Sequence, residues 1–201
     1  MERAGIDYWL AGRDYHVHLN HDTDGVIVAS SSDSHYDVAF DLMEEGFPVL
    51  IEKPVCMTSQ QAESLLNLSN GPDGGIALVG HTRLYDPAWE DFKAGPRGPV
   101  SAFAGGVTAS NPDPRWNWLP HLVAMCLDLG VDPERAQFTI TEERQPLRFR
   151  MGGRVFKDSP YHAGAIDRLV RAFIDAIKKG VPDNAGLHLG LKTVQYIERH
   201  S

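Results

Sequence analysis

Three short apolar runs, Val26 to Ala29, Val49 to Glu52 and Ile76 to Val79, constrain this chain more than any other feature. None alternates apolar with polar residues, so each reads as a strand covered on both faces. The polar cluster Ser30-Ser31-Ser32-Asp33-Ser34 follows the first run and can cap a helix from His35 to Glu45. That helix carries Val38, Ala39, Leu42 and Met43 on one side, and Gly46 is its natural stop. A second helix begins at Thr58-Ser59-Gln60-Gln61, a capping-box pattern, and carries Ala62, Leu65 and Leu66 before Gly71. Strand, helix, strand, helix, strand is the order of one half of a doubly wound sheet.

Asp86-Pro87 opens a further helix to about Lys93, with Asp86 at the cap and Pro87 at the first helical position. After Gly95-Pro96-Arg97-Gly98-Pro99 the character changes. Val100 to Ala109 reads as a strand, and a Pro- and Trp-rich loop, Asn111 to Trp118, leads to a helix ending near Gly130. Gln137 to Thr141 and Leu147 to Met151 alternate, and Gly152-Gly153 joins the latter to Arg154–Lys157 as a hairpin. Ser159-Pro160 starts the strongest amphipathic helix, with Ile166, Leu169, Val170, Phe173, Ile174 and Ile177 at helical spacing. A last helix, roughly Asn184 to Arg199, carries Leu187, Leu191 and Val194. Residues 6 to 10 and 15 to 19 alternate around Gly12-Arg13-Asp14, a hairpin signal. The expected fold class is α/β: an incomplete Rossmann-like parallel sheet in residues 1–95, then a shortened α+β domain with a mainly antiparallel sheet in residues 96–201.

Charge excludes one class of partner. With 19 Lys plus Arg against 27 Asp plus Glu, a net charge of −8 and no basic block, nucleic acid is not expected. Two cysteines, Cys56 and Cys126, do not make a disulfide framework and fit a reducing compartment. No run reaches the length of a membrane span, and the expected location is cytoplasmic.

In an open α/β sheet the carboxyl ends of strands line the ligand crevice, which puts Glu52 and Lys53 where chemistry would be placed; taken alone, the run reads equally as a strand that ends in two solvated charges and turns at Pro54. The ordered set Asp24-Gly25-Val26-Ile27-Val28-Ala29, His35, Gly46, Glu52-Lys53-Pro54 and Thr58 resembles the Gfo/Idh/MocA family, the glucose-fructose oxidoreductase and inositol dehydrogenase group of NAD(P)-dependent enzymes. The similarity continues through Val79-Gly80-His81, Tyr85-Asp86-Pro87-Ala88 and Trp118-Leu119-Pro120-His121, and more loosely into the two final helices.

The resemblance implies a function and a set of residues. Lys53 would hold or protonate a substrate oxygen at the nicotinamide, Lys53-Pro54 would be a cis peptide bond, and His121 would be the acid–base residue. Ser30, His35, Glu52, Lys53 and Pro54 would border NAD or NADP, and Asn117, His81, Arg83 and Tyr85 would meet a sugar, cyclitol or related polyol. Two positions depart from the family: Asn117 stands where Asp is usual, and Leu119 where Gly is common. Asn117 is then either a sugar-binding amide or the cap of its helix, and His121 either the proton carrier or a polar helix residue. No GxGxxG occurs, and only 24 residues precede Gly25, so the resemblance implies that the phosphate-binding strand and turn are lost. Val26 to Ala29 would then expose a sheet edge, to be covered by a second copy of the chain, a partner chain or residues 6 to 19.

Weaker signals carry less. His16, His18 and His21 lack a carboxylate or Cys at matching spacing, so no metal site is expected. Trp89, Trp116 and Trp118 read as sugar-stacking or packing residues, and Cys56 as a buried small residue. The leading expectation is a polyol oxidoreductase. Its alternatives are a non-catalytic carbohydrate-sensing or partner-binding protein without cofactor, and a gene fragment.

Overall fold

Ile27, Leu50 and Leu78 stand side by side on three parallel strands, β1 (Val26–Val28), β2 (Val49–Glu52) and β3 (Ala77–Gly80), ordered β1-β2-β3. This computed structural model describes residues 19, 22–72, 74–108, 113–157, 163–181 and 184–200; the hairpin expected at 6 to 19 and the His16, His18, His21 cluster lie outside them, apart from Leu19. The helices α1 (His35–Glu44) and α2 (Ser59–Ser69) connect the strands, as a parallel ladder requires. The capping box at Thr58 is complete: its side chain accepts from the Gln61 N–H, and the Gln61 side chain accepts from the Thr58 N–H. Gly46, at φ +85°, lets the chain leave α1 in a left-handed conformation.

Residue alternation divides the parallel sheet between two cores. Val28, Val49, Ile51, Ala77 and Val79 pack against Ala39, Leu42 and Met43 of α1, and Ala62, Leu65 and Leu66 of α2. Leu187 and Val194 of α6 (Asn184–Arg199) complete that face. On the other face Leu50, Ile76 and Leu78 meet Leu169 and Phe173 of α5 (Ala163–Lys179). The two last helices therefore return to the first sheet and sandwich it. One expectation needs correcting: β1 is not covered on both faces, since Ile27 is 48% exposed. It sits on the outer strand of the described sheet, where α5 gives it too little cover. Ile166, expected on the buried stripe of α5, is 49% exposed, because that stripe runs through Ala165, Leu169 and Phe173 at four-residue spacing and leaves Ile166 beside it.

The second sheet is ordered β5-β4-β6-β7, from β4 (Val100–Gly105), β5 (Gln137–Thr141), β6 (Gln145–Met151) and β7 (Arg154–Lys157). β4 pairs parallel with β5 and antiparallel with β6, and β6 pairs antiparallel with β7 across Gly152 and Gly153, both at positive φ. Its inner face, with Leu147, Phe149 and Met151, is covered by α3 (Pro87–Lys93) and α4 (Pro114–Asp128). Trp89 of α3 is fully buried there, stacked on Phe92 and edge-on to Phe149 and Phe156, and its indole N–H donates to Asp128 at 2.7 Å. Trp89 is thus a packing residue.

Two boundaries differ from expectation near the exits of β2 and β3. β4 ends at Gly105, not Ala109, because Gly106 at φ +120° turns the chain out of the ladder. α4 begins at Pro114, so Trp116, Asn117 and Trp118 are helical and not in a loop. Asp113, not Asn117, caps the helix, its carboxylate accepting from the Arg115 N–H at 2.8 Å, with Pro114 at the first position. The density of Pro and Trp hid that helix start. Leu119 and Val123 of α4 pack on Tyr196 and Ile197 of α6, which ties the helix of the second sheet to a helix of the first.

Candidate active site

Lys53 follows the middle strand of the parallel sheet, and its side chain crosses to α4. The Nζ donates to two oxygens of one residue, the Asn117 main-chain carbonyl at 2.9 Å and Asn117 Oδ1 at 2.9 Å. Asn117 is oriented in turn by its amide, which donates to the Gly106 carbonyl at 3.1 Å. The indole N–H of Trp118 donates to the same carbonyl at 3.1 Å, and the Arg83 guanidinium lies 6.0 Å from the Trp118 ring centre. The end of β4, the first turns of α4 and the exits of β2 and β3 are therefore joined around one amine. Gly106 and Trp118 were not foreseen in this role; the Gly105-Gly106 pair at a strand end was the available signal.

The turn carrying Lys53 is fixed from behind. The Lys53-Pro54 bond is cis, as the resemblance implied. The Lys53 N–H donates to Glu52 Oε2 at 3.1 Å, and Gly80 leaves room for that carboxylate: a Cβ there would stand 3.1 Å from Glu52 Oε1. His35, buried at the start of α1, places Nδ1 2.7 Å from the Pro54 carbonyl and Nε2 3.1 Å from the Ser30 carbonyl. Ser30 accepts from the Ser34 hydroxyl at 2.8 Å. Ser30, His35 and Pro54 form one group behind the turn; Lys53, Asn117, His81 and Arg83 form another in front of it.

His81 follows β3 directly and is 2% exposed, and neither ring nitrogen has a hydrogen-bond partner among the described residues. Burial, with the Lys53 charge adding to it, pushes its imidazole down to about 3. It is neutral at physiological pH. Burial also pulls the Lys53 amine down to about 8; the Glu52 carboxylate opposes that fall and the Arg83 cation adds to it. Arg83 and Tyr85 lie on a 3-10 turn, Thr82–Tyr85. Arg83 remains with the Lys53 group, whereas Tyr85 packs against the Leu50, Leu78 and Leu169 cluster on the α5 side. His121, 4% exposed, lies one helical turn beyond Asn117 on α4, its ring 6.3 Å from that of Trp118. Trp116 packs between the two cores.

Other reactive groups lie elsewhere. The Cys56 and Cys126 thiols are buried and pushed up to about 12, which leaves neither as a nucleophile. Among the described residues no group of three metal-binding side chains occurs, and no helix is long and apolar enough to cross a membrane.

Comparison with known proteins gives this geometry a family context. Residues 6–80 match the Gfo/Idh/MocA oxidoreductase family, NAD-binding Rossmann fold. The chain is 31% identical over 72 residues to inositol 2-dehydrogenase 2 of Saccharopolyspora erythraea, a match covering 36% of this chain and 21% of that protein. It is 26% identical over 145 residues to scyllo-inositol 2-dehydrogenase (NAD(+)) of Bacillus subtilis, covering 69% and 41%. The matches thus span less than half of either relative. GenD2 from gentamicin A biosynthesis, solved in complex with NAD, superposes with a TM-score of 0.74 at 12% identity, over 94% of this chain and 78% of that one, a likeness of fold.

Proposed function

Residues 6–80 belong to the Gfo/Idh/MocA oxidoreductase family, and on that premise we propose that the crevice at the exits of β2 and β3 serves reversible hydride transfer between a nicotinamide dinucleotide and a hydroxyl-bearing carbon of a sugar, cyclitol or related polyol. The observation that carries this reading is the part-buried Lys53 amine, fixed on α4 beside a buried His81 whose nitrogens have no partner among the described residues. A neutral imidazole offers one donor and one acceptor, and a hydroxyl can satisfy either. That orphan suits a polyhydroxylated ligand better than an apolar one.

Lys53 holds the substrate oxygen and exchanges a proton with it, with His121 as its catalytic partner. Asn117, His81 and Arg83 bind neighbouring oxygens; Tyr85, packed on the α5 side, has no part in the site. Ser30, His35, Glu52, Lys53 and Pro54 border the nicotinamide end. When bound, NAD or NADP supplies the hydride acceptor or donor. The first sheet with α1, α2, α5 and α6 acts as the nucleotide layer, and the second sheet with α3 and α4 as the substrate layer. A second copy or a partner chain covers the β1 edge, where Ile27 is exposed.

Calorimetry with NAD(H) and NADP(H), together with turnover of scyllo- and myo-inositol, tests the reading. Binding below millimolar concentration is expected. Lys53→Ala should lower kcat by about 10²- to 10⁴-fold with its melting transition retained. No binding of either dinucleotide at millimolar concentration, or full activity in Lys53→Ala, overturns it.

A further inference from the structure

Among the described residues no carboxylate pairs directly with the Lys53 amine. Its acceptors are the main-chain and side-chain oxygens of Asn117, both neutral, and among the described residues no carboxylate oxygen lies within ion-pair distance of Nζ. Glu52, the nearest acid on β2, turns its carboxylate to the Lys53 main-chain N–H instead. The other groups around the amine are Arg83, a cation from the turn after β3, and His81, a neutral imidazole at the end of β3. From α4 come Asn117 and, one turn on, His121.

An ammonium paired with a carboxylate is stabilised in its charged form and gives up a proton reluctantly. An amine held by two neutral oxygens keeps its position with less of that stabilisation, here only the through-space charge of Glu52. We propose that Asn117 is the positioning residue of Lys53: it aims the amine into the crevice through uncharged acceptors, so that Lys53 itself carries the proton of the substrate hydroxyl. In oxidation the free amine would take the O–H proton and become ammonium while the carbon–oxygen bond becomes a carbonyl and the carbon's hydrogen passes as hydride to the oxidised nicotinamide named above. In reduction the ammonium returns the proton to the oxygen. This deepens the reading above and rests on it for the reaction, but not for the state of the amine.

The direction of the pKa agrees, since burial already pulls Lys53 down to about 8 against the Glu52 charge. A carboxylate at position 117 should reverse this, and an apolar side chain should extend it. The test is competitive acetylation with trace acetic anhydride across pH 6 to 11, with the extent at Lys53 read by peptide mass spectrometry. It needs neither cofactor nor substrate, so a failure of the catalytic reading leaves it intact. The wild-type labelling midpoint is expected near 8, as the buried amine requires. Asn117→Asp should raise the midpoint by a unit or more, a fall of about tenfold or more in free amine at pH 7. Asn117→Leu, which removes one acceptor, should lower it. A merely structural Asn117 would release Lys53 to solvent in both variants, and both midpoints would rise toward the ordinary lysine value. Movement in the same direction, or no movement in either variant, overturns the proposal. If Asn117→Leu does not fold, Asn117→Ser replaces it and should also not raise the midpoint.

Discussion

His35 reaches the Pro54 carbonyl at 2.7 Å across the gap between α1 and the turn that carries Lys53. The first turn of the helix after β1 is thereby fastened to the exit of β2, and the second ring nitrogen faces the Ser30 carbonyl at 3.1 Å. A buried side chain that serves two main-chain segments is a brace for the crevice.

Removal of that brace should cost more than an ordinary surface change. His35→Ala is expected to destabilise the protein by about 1–3 kcal/mol, the range for leaving a buried polar group without its partner. Tyr36→Phe, which removes only a long 3.3 Å contact to the Ser64 hydroxyl, should cost less. Urea denaturation of both variants measures this, and amide exchange should rise at Lys53 and Val55 in His35→Ala alone. Equal stability of wild type and His35→Ala would remove the brace from the account.

His81 should make the protein acid-sensitive. Its folded value of about 3 lies below the ordinary 6.5, so as pH falls the unfolded chain takes the proton first. The stability contribution is complete above 6.5 and is lost through the window from 6.5 down to 3. The loss is up to about 1.4 kcal/mol per pH unit. His81→Phe fills the site without a titrating group. Denaturation at pH 7, 5.5 and 4 should show the variant gaining on wild type at each step down, and parallel losses in the two proteins would count against a neutral buried imidazole.

Gly106 should be sensitive for a reason of backbone shape. At φ +120° it occupies a region that L side chains rarely adopt, and its carbonyl accepts from both Asn117 and Trp118. Gly106→Ala should cost about 1–3 kcal/mol, and it should shift Trp118 fluorescence as the carbonyl turns away. Gly153→Ala, at φ +79° in the β6–β7 hairpin, should cost stability in the same way but leave the emission unchanged. Identical spectra for the two variants would mean that Gly106 does not orient the α4 residues.

Much of this molecule was legible before its structure. The capping box at Thr58, Asp86-Pro87 at the start of α3, the Gly152-Gly153 turn and the span of α6 are local signals, set by hydrogen bonds within a few residues, and they hold. Apolar runs without alternation predicted the three parallel strands, because strands between helical layers need apolar residues in both directions. The position of Lys53 at a strand end followed from the same pattern, and a family resemblance attached chemistry to it.

What the tertiary structure decided is where distant segments meet. No spacing in the sequence announces that Lys53 and Asn117, 64 positions apart, share two hydrogen bonds. Nor does any spacing say that His81 is buried beside Lys53 while Tyr85, four residues on, turns to the α5 face. Asn117 could be read as a cap until Asp113 took that place and left its amide free to orient the amine. Local chemistry determines which elements form; which polar groups those elements bury together, and hence how their pKa values shift, depends on packing between residues far apart in the chain.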